Sequence, residues 1–242
     1  MNLIKAWDTA PPILHIPQLE FRSGKLTCIL GPTGCGKTTL LNILSGIDTD
    51  YIGEVTFNPV GSPRVSYQFQ MDLLLPWKSV RENLLTGYYA TDTPPPASSA
   101  DIWLDVLDLR AVADAYPASL SVGMRQRAAI GRTLAWDGTL RLLDEPLSAQ
   151  DFHHRVALES VLRKELRRSG TVGIVVTHNL EQAIFLADRI IVLGGRPSRV
   201  LDDFDVDGID ETNRAGEAGE SLIVANYIAR VVRALGLSGN RI

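Results

Sequence analysis

Apolar residues in this chain gather in short continuous runs instead of alternating with polar ones. The longest runs cover residues 26–30, 173–176 and 190–193, and a further one covers 140–143. Three of them end abruptly in polar or glycine-rich turns: Leu30 gives way to Gly31, Leu143 to Asp144, and Val176 to Thr177 and His178. Strands that are apolar on both sides suit a sheet covered on both faces, and such sheets are mostly parallel. Between the runs the period becomes helical. Residues 155–168 place Leu158, Val161, Leu162 and Leu166 on one side and stop at Gly170, while Asn179 with Gln182 resembles a capping box opening a helix over 180–188. The pattern predicts an α/β architecture with its polar loops at the carboxyl ends of the strands.

One long stretch interrupts the alternation. From about 73 to 137 the spacing is helical, broken by the turn-rich residues 91–99 with Pro94, Pro95 and Pro96, and it reads as a helical subdomain inserted in the core. Beyond Asp202 the chain turns acidic and glycine-containing through Glu220. It then regains helical spacing at Ile223, Tyr227, Val231 and Leu235, so a linker and one helix are expected over about 203–242. There is no internal repeat, and the whole chain reads as one domain of 242 residues.

With 45% hydrophobic residues the chain can bury a large core, which excludes intrinsic disorder. Its net charge of −4 without a basic tract argues against a protein that coats nucleic acid. Cys28 and Cys35 are too few for a disulfide framework and lack metal-ligand neighbours, which fits a reducing compartment. No apolar run approaches the ~20 residues of a spanning helix, and the N-terminal residues carry no export signal pattern, so any membrane role is expected to run through partners.

The chemistry concentrates at two strand ends. Gly31, Pro32, Thr33, Gly34, Cys35, Gly36, Lys37 and Thr38 match G-x-x-x-x-G-K-[ST] between a predicted strand and an apolar helix containing Leu40, Leu41, Ile43 and Leu44. Glycines let successive N–H groups converge on phosphate oxygens, and the helix N-terminus adds its positive dipole. Lys37 can reach the outer phosphates, and Thr38 offers a hydroxyl to Mg2+. Asp144 and Glu145 end the run at 140–143. There Asp144 can hold a metal's water shell, while Glu145 can orient and deprotonate an attacking water.

These residues, together with Ser119-Leu-Ser121-Val-Gly123-Met-Arg-Gln-Arg127 just upstream, resemble the ATP-binding subunit of an ABC transporter. The resemblance covers roughly residues 4–199. It implies a P-loop NTPase (RecA-like) core with ATP and Mg2+ as cofactors, and extends the nucleotide-contacting turn to Thr39. It also implies that Ser121 and Gly123 face the γ-phosphate bound by a second subunit, from the N-terminus of a helix. Gln70 matches the glutamine that links metal and attacking water to the helical subdomain, with Gln68 the competing assignment. Asp151, in Ser148-Ala-Gln-Asp151, matches the loop that crosses the dimer interface, and His178 matches the histidine that binds the γ-phosphate. Trp7 falls where the family keeps an aromatic for stacking on adenine. Leu73-Leu-Leu-Pro-Trp77 is similar to a segment of nitrate, sulfonate and taurine importer ATPases, where it would receive a permease helix.

By this resemblance the partners are a second ATPase subunit, expected to be an identical chain, and two integral membrane permease subunits. A periplasmic or extracellular substrate-binding protein follows indirectly. The expected location is the cytoplasmic face of the membrane. Two positions depart from the family pattern. Val122 replaces the first signature glycine, where its branched side chain would crowd a phosphate, and Arg141 stands in an otherwise apolar strand. A soluble ABC-type ATPase of DNA repair or translation is the alternative from another class, and Val122 is the support for a low-turnover structural subunit.

Overall fold

The computed structural model describes residues 2–6, 11–58, 62–96, 98–207 and 218–236. The chain opens with β1 (Asn2–Lys5), β2 (Leu14–Ile16) and β3 (Leu26–Leu30), then α1 (Lys37–Ser45), β4 (Ile52–Glu54) and β5 (Val65–Gln68). A helical stretch follows, with α2 (Val80–Leu84), α3 (Thr86–Ala90), α4 (Ser99–Val106), two short 3-10 turns and α5 (Val122–Ala135). The chain then alternates through β6 (Leu140–Asp144), α6 (Phe152–Leu166), β7 (Val172–Val176), α7 (Leu180–Leu186), β8 (Arg189–Gly194), β9 (Arg199–Asp205) and α8 (Ala218–Ala234).

Six strands form the main sheet in the order β5-β6-β7-β3-β8-β9, parallel throughout except for the antiparallel edge strand β9. The apolar runs are explained by cores on both faces. Cys28, Leu30, Leu143, Val175, Ile190 and Val192 point into a cluster under α5, α6 and α7. Their alternating neighbours Ile29, Leu142, Ile174, Val176, Ile191 and Leu193 join Leu40 and Leu41 of α1 and the small sheet. That antiparallel sheet, β2-β1-β4, has strands of three or four residues and was not foreseen.

Four boundaries differ from expectation. Residues 73–79 are not helical: α2 begins only after Ser79, whose hydroxyl accepts from the Glu82 amide while the Glu82 carboxylate accepts from the Ser79 amide. The helix after the second strand end starts at Phe152, ahead of Arg155, because Asp151 caps it. α7 stops at Leu186. Asp188 lies beyond it, with its carboxylate receiving the Leu26 amide at 2.8 Å and pairing with Arg167 at 2.7 Å. The acidic stretch beginning near Asp202 is strand first: Asp202 pairs with Arg230 and Asp203 with Arg189, while Phe204 turns inward. Repeated acid here reflects ion pairing along an edge strand. Among the described residues no helix is long and apolar enough to cross a membrane.

Candidate functional site

The turn from β3 to α1 is built on close backbone approach. A Cβ on Gly31 would lie 2.5 Å from the Leu193 carbonyl oxygen, and Gly34 and Gly36 take φ of +78° and +93°, a region open mainly to glycine. Gly36 caps α1 without a side-chain bond, so the first amides of the helix remain directed into the turn. Lys37 is buried at the same place, and its Nζ donates to the carbonyls of Gly31 at 2.8 Å and Pro32 at 3.1 Å. Cys35 is a buried free thiol packed against Gly31.

β6 ends at Asp144, and Glu145 is the first residue beyond it. Asp144 is almost wholly buried and accepts from the Thr38 hydroxyl at 2.6 Å, so two oxygen donors from motifs 106 residues apart meet. Burial pushes the Asp144 carboxyl above the usual carboxylate range. The Thr38 hydrogen bond counters that shift, the Glu145 charge reinforces it, and Lys37 opposes it. Glu145 has φ +51°, a strained conformation for a residue with a side chain. Its carboxylate is held by His178 Nδ1 at 2.7 Å. The Thr177 hydroxyl, whose one proton goes to Gln182 Oε1 at 2.6 Å, lies 3.3 Å from the same carboxylate. His178 itself is exposed, so it stands between Glu145 and solvent. The sequence presents Gln182 only as a helix-cap partner of Asn179 and Thr177 only as a turn residue, not as neighbours of Glu145.

The signature turn sits beside this centre on α5. Ser121 caps that helix, its hydroxyl receiving the Met124 amide at 3.2 Å, and Val122 is 59% exposed. The valine therefore crowds nothing within the chain. One buried side chain behind the turn was also missed. Gln126 donates to the Glu145 carbonyl at 3.3 Å and the Ser148 hydroxyl at 3.1 Å, and accepts from Ala149 N at 3.0 Å and Gln150 Nε2 at 2.8 Å. Gln150 also donates to the Gly123 carbonyl, so the signature turn and the loop at 145–150 are fastened to each other. Asp151 ends that loop as the N-cap of α6 and also binds the His154 ring.

Gln70 is exposed just beyond β5, while Gln68 is buried in the strand with its Nε2 on the Phe69 carbonyl. The segment that follows is strapped to α5: Arg125 bonds the Asp72 carboxylate at 2.9 Å, and Arg132 reaches the carbonyls of Leu73 at 2.7 Å and Asp72 at 2.8 Å. Met71, Leu73 and Trp77 are left exposed around it. Trp7 lies outside the described residues. The structure thus brings together the phosphate turn, Asp144, Glu145 and His178, while Gln126 ties the signature helix to the loop that follows Glu145.

Residues 14–148 match the family model described as ABC transporter. The chain belongs to the ABC transporter family. It is an ATP-hydrolysing enzyme of that family's ATPase type. It is 42% identical over 199 residues to the aliphatic sulfonates import ATP-binding protein SsuB 2 of Burkholderia lata, covering 81% of this chain and 72% of the relative. Over 192 residues it is 38% identical to the taurine import ATP-binding protein TauB of Roseobacter denitrificans, covering 77% and 72% of the two chains. Among solved structures, the dimeric post-hydrolysis state of the ATP-binding cassette MJ0796 bound to ADP and Pi superposes with a TM-score of 0.71. That match is 26% identical and covers 86% of this chain and 97% of the cassette.

Proposed function

We propose that this chain is the ATP-hydrolysing subunit of an ABC importer, working as a head-to-tail dimer on the cytoplasmic face of the membrane beneath two permease subunits. A substrate-binding protein outside the membrane would feed the permease. The observation that carries the reading is the meeting of Thr38 with Asp144 at 2.6 Å and of His178 with Glu145 at 2.7 Å, beside the Lys37 turn. The sulfonate and taurine import named for its relatives supports a small organic anion as cargo, recognised by other subunits.

Gly31 to Thr39 would cradle the phosphates of ATP, with Lys37 exchanging the carbonyls of Gly31 and Pro32 for phosphate oxygens. Trp7 would stack on adenine. Thr38 and Asp144 make a hard-oxygen pair suited to Mg2+, which binds through one or two such groups with water and substrate phosphates. Gln70 would complete that shell. When bound, Mg2+ supplies neutralisation of charge on the phosphate oxygens. Glu145 orients the attacking water and accepts its proton, while His178 swings from Glu145 to the γ-phosphate and frees the carboxylate for that role. Ser121 and Gly123 of the partner subunit, aided by Asp151 at the interface, would close the site.

The test is ATP turnover of the purified chain with Mg2+, alone and assembled with its permease pair. Turnover that rises with chain concentration and rises further on assembly is expected. Turnover independent of concentration and indifferent to the permease would defeat the reading.

A further inference from the structure

Arg141, the charged residue within the apolar run of β6, is almost completely buried. Room for it comes from its neighbours across the sheet, Ser66 on one side and Gly173 on the other. Its guanidinium reaches the ends of two helices at once. It donates to the carbonyls of Leu134 at 3.4 Å and Trp136 at 3.2 Å, at the end of α5, and to the carbonyl of Glu165 at 3.1 Å, at the end of α6. The Glu165 carboxylate lies 3.9 Å away, and Arg141 Nε has no partner.

The two helix ends differ from that of α1. α1 closes on Gly46, whose amide returns to the helix carbonyls, but α5 and α6 end on Trp136 and Arg167 with no backbone cap of that kind. At the end of α5 the Trp136 carbonyl also takes the Gly138 amide and the Ala135 carbonyl takes the Tyr88 hydroxyl, and the fixed cation adds donors to both helix ends and complements both dipoles. The opposite ends of these helices are the N-caps Ser121 and Asp151. β6 runs three residues on from Arg141 to Asp144. The catalytic strand and both dimer-facing turns therefore share one buried anchor.

We propose that Arg141 is a positioning residue that sets where the signature turn at Ser121 and the interface loop at Asp151 stand relative to the carboxylates of Asp144 and Glu145. Its terminal nitrogens donate to the carbonyls of Leu134, Trp136 and Glu165. It acts through two stiff helices of about 20 Å, where a change of tilt at the anchored end displaces the free end. This rests on the reading that Ser121 and Asp151 act across the dimer.

The test uses the full chain carrying Arg141→Met, which keeps the reach without donors, and Arg141→Lys, which keeps the charge but lacks the planar fork that serves two helix ends. Hydrogen exchange is measured over 121–127 and 148–154, with nucleotide affinity and with ATP turnover at saturating protein. Arg141→Met should speed exchange at both N-termini and lower turnover about tenfold, equal to about 1.4 kcal/mol, with affinity unchanged. Arg141→Lys should fall between. A folded Arg141→Met with parental exchange at both N-termini and parental turnover overturns the proposal. If Arg141→Met does not fold, parental behaviour of Arg141→Lys does so instead. Should Gly123→Asp keep full turnover, the trans reading falls separately, while the exchange data still decide whether Arg141 anchors the two turns.

Discussion

The phosphate turn and the signature turn both lie at helix N-termini, yet one is closed within the chain and the other is open. Lys37 is buried on its own loop's carbonyls and Thr38 is bonded to buried Asp144, so that half of the site is preassembled. At the signature turn and the adjoining loop, Gln126 and Gln150 fasten the two to each other, and Val122 and Phe152 are exposed. A half that is complete should bind nucleotide alone. A half that is well anchored but faces solvent should matter only when a second chain meets it.

The largest effect expected is on the closed half. Glu145→Gln keeps the shape and loses the basic oxygen, so turnover should fall by about 10²–10⁴ while ATP still binds, as steady-state and binding assays would read. Normal turnover would remove Glu145 from the role of base. Lys37→Ala should cost about 1.5–3 kcal/mol of nucleotide affinity, because a charge-assisted phosphate contact is lost. Titration of the isolated chain measures it, and an unchanged affinity would count against the phosphate turn.

Asp144→Asn should separate stability from function. Burial raises the folded carboxyl above its unfolded value, so its contribution to stability is present at low pH and is lost as pH rises through the folded pKa. Removing the charge should therefore raise the melting temperature at neutral pH, and the gain should vanish on acidification. Mg2+-dependent turnover should be lost at the same time. A variant destabilised at neutral pH would refute this sign.

Val122→Gly should have the smallest effect, and on the open half alone. Relief of crowding against a partner's phosphate should raise the concentration-dependent rate about twofold without changing monomer affinity. An unchanged rate would make the valine a tolerated substitution and remove the support for a low-turnover subunit.

The closed half was largely legible in the sequence. Its residues lie in compact motifs at strand ends, and each strand is long and apolar enough to announce itself. The small sheet was hidden because β1, β2 and β4 are short and pair across long separations, as Leu3 does with Ile16 and Gly53. β9 was obscured because Asp202 and Asp203 suggest solvent until Arg230 and Arg189 are seen opposite them. The fastenings of the open half, Gln126 and Arg141, depend on tertiary meetings that no local pattern encodes. Arg141 drew notice only as a charge out of place.

The claim that each catalytic centre takes its halves from two chains is tested most directly by mixing two inactive variants. Lys37→Ala disables the phosphate turn. Gly123→Asp puts a negative charge at the signature turn, where an added Cβ would lie 3.4 Å or more from its neighbours, so the fold should tolerate it. Each variant alone should be nearly inert. Mixed, they should recover a substantial part of the parental ATP turnover, because a hybrid dimer rebuilds one complete site. A mixture no more active than its separate components would contradict the account.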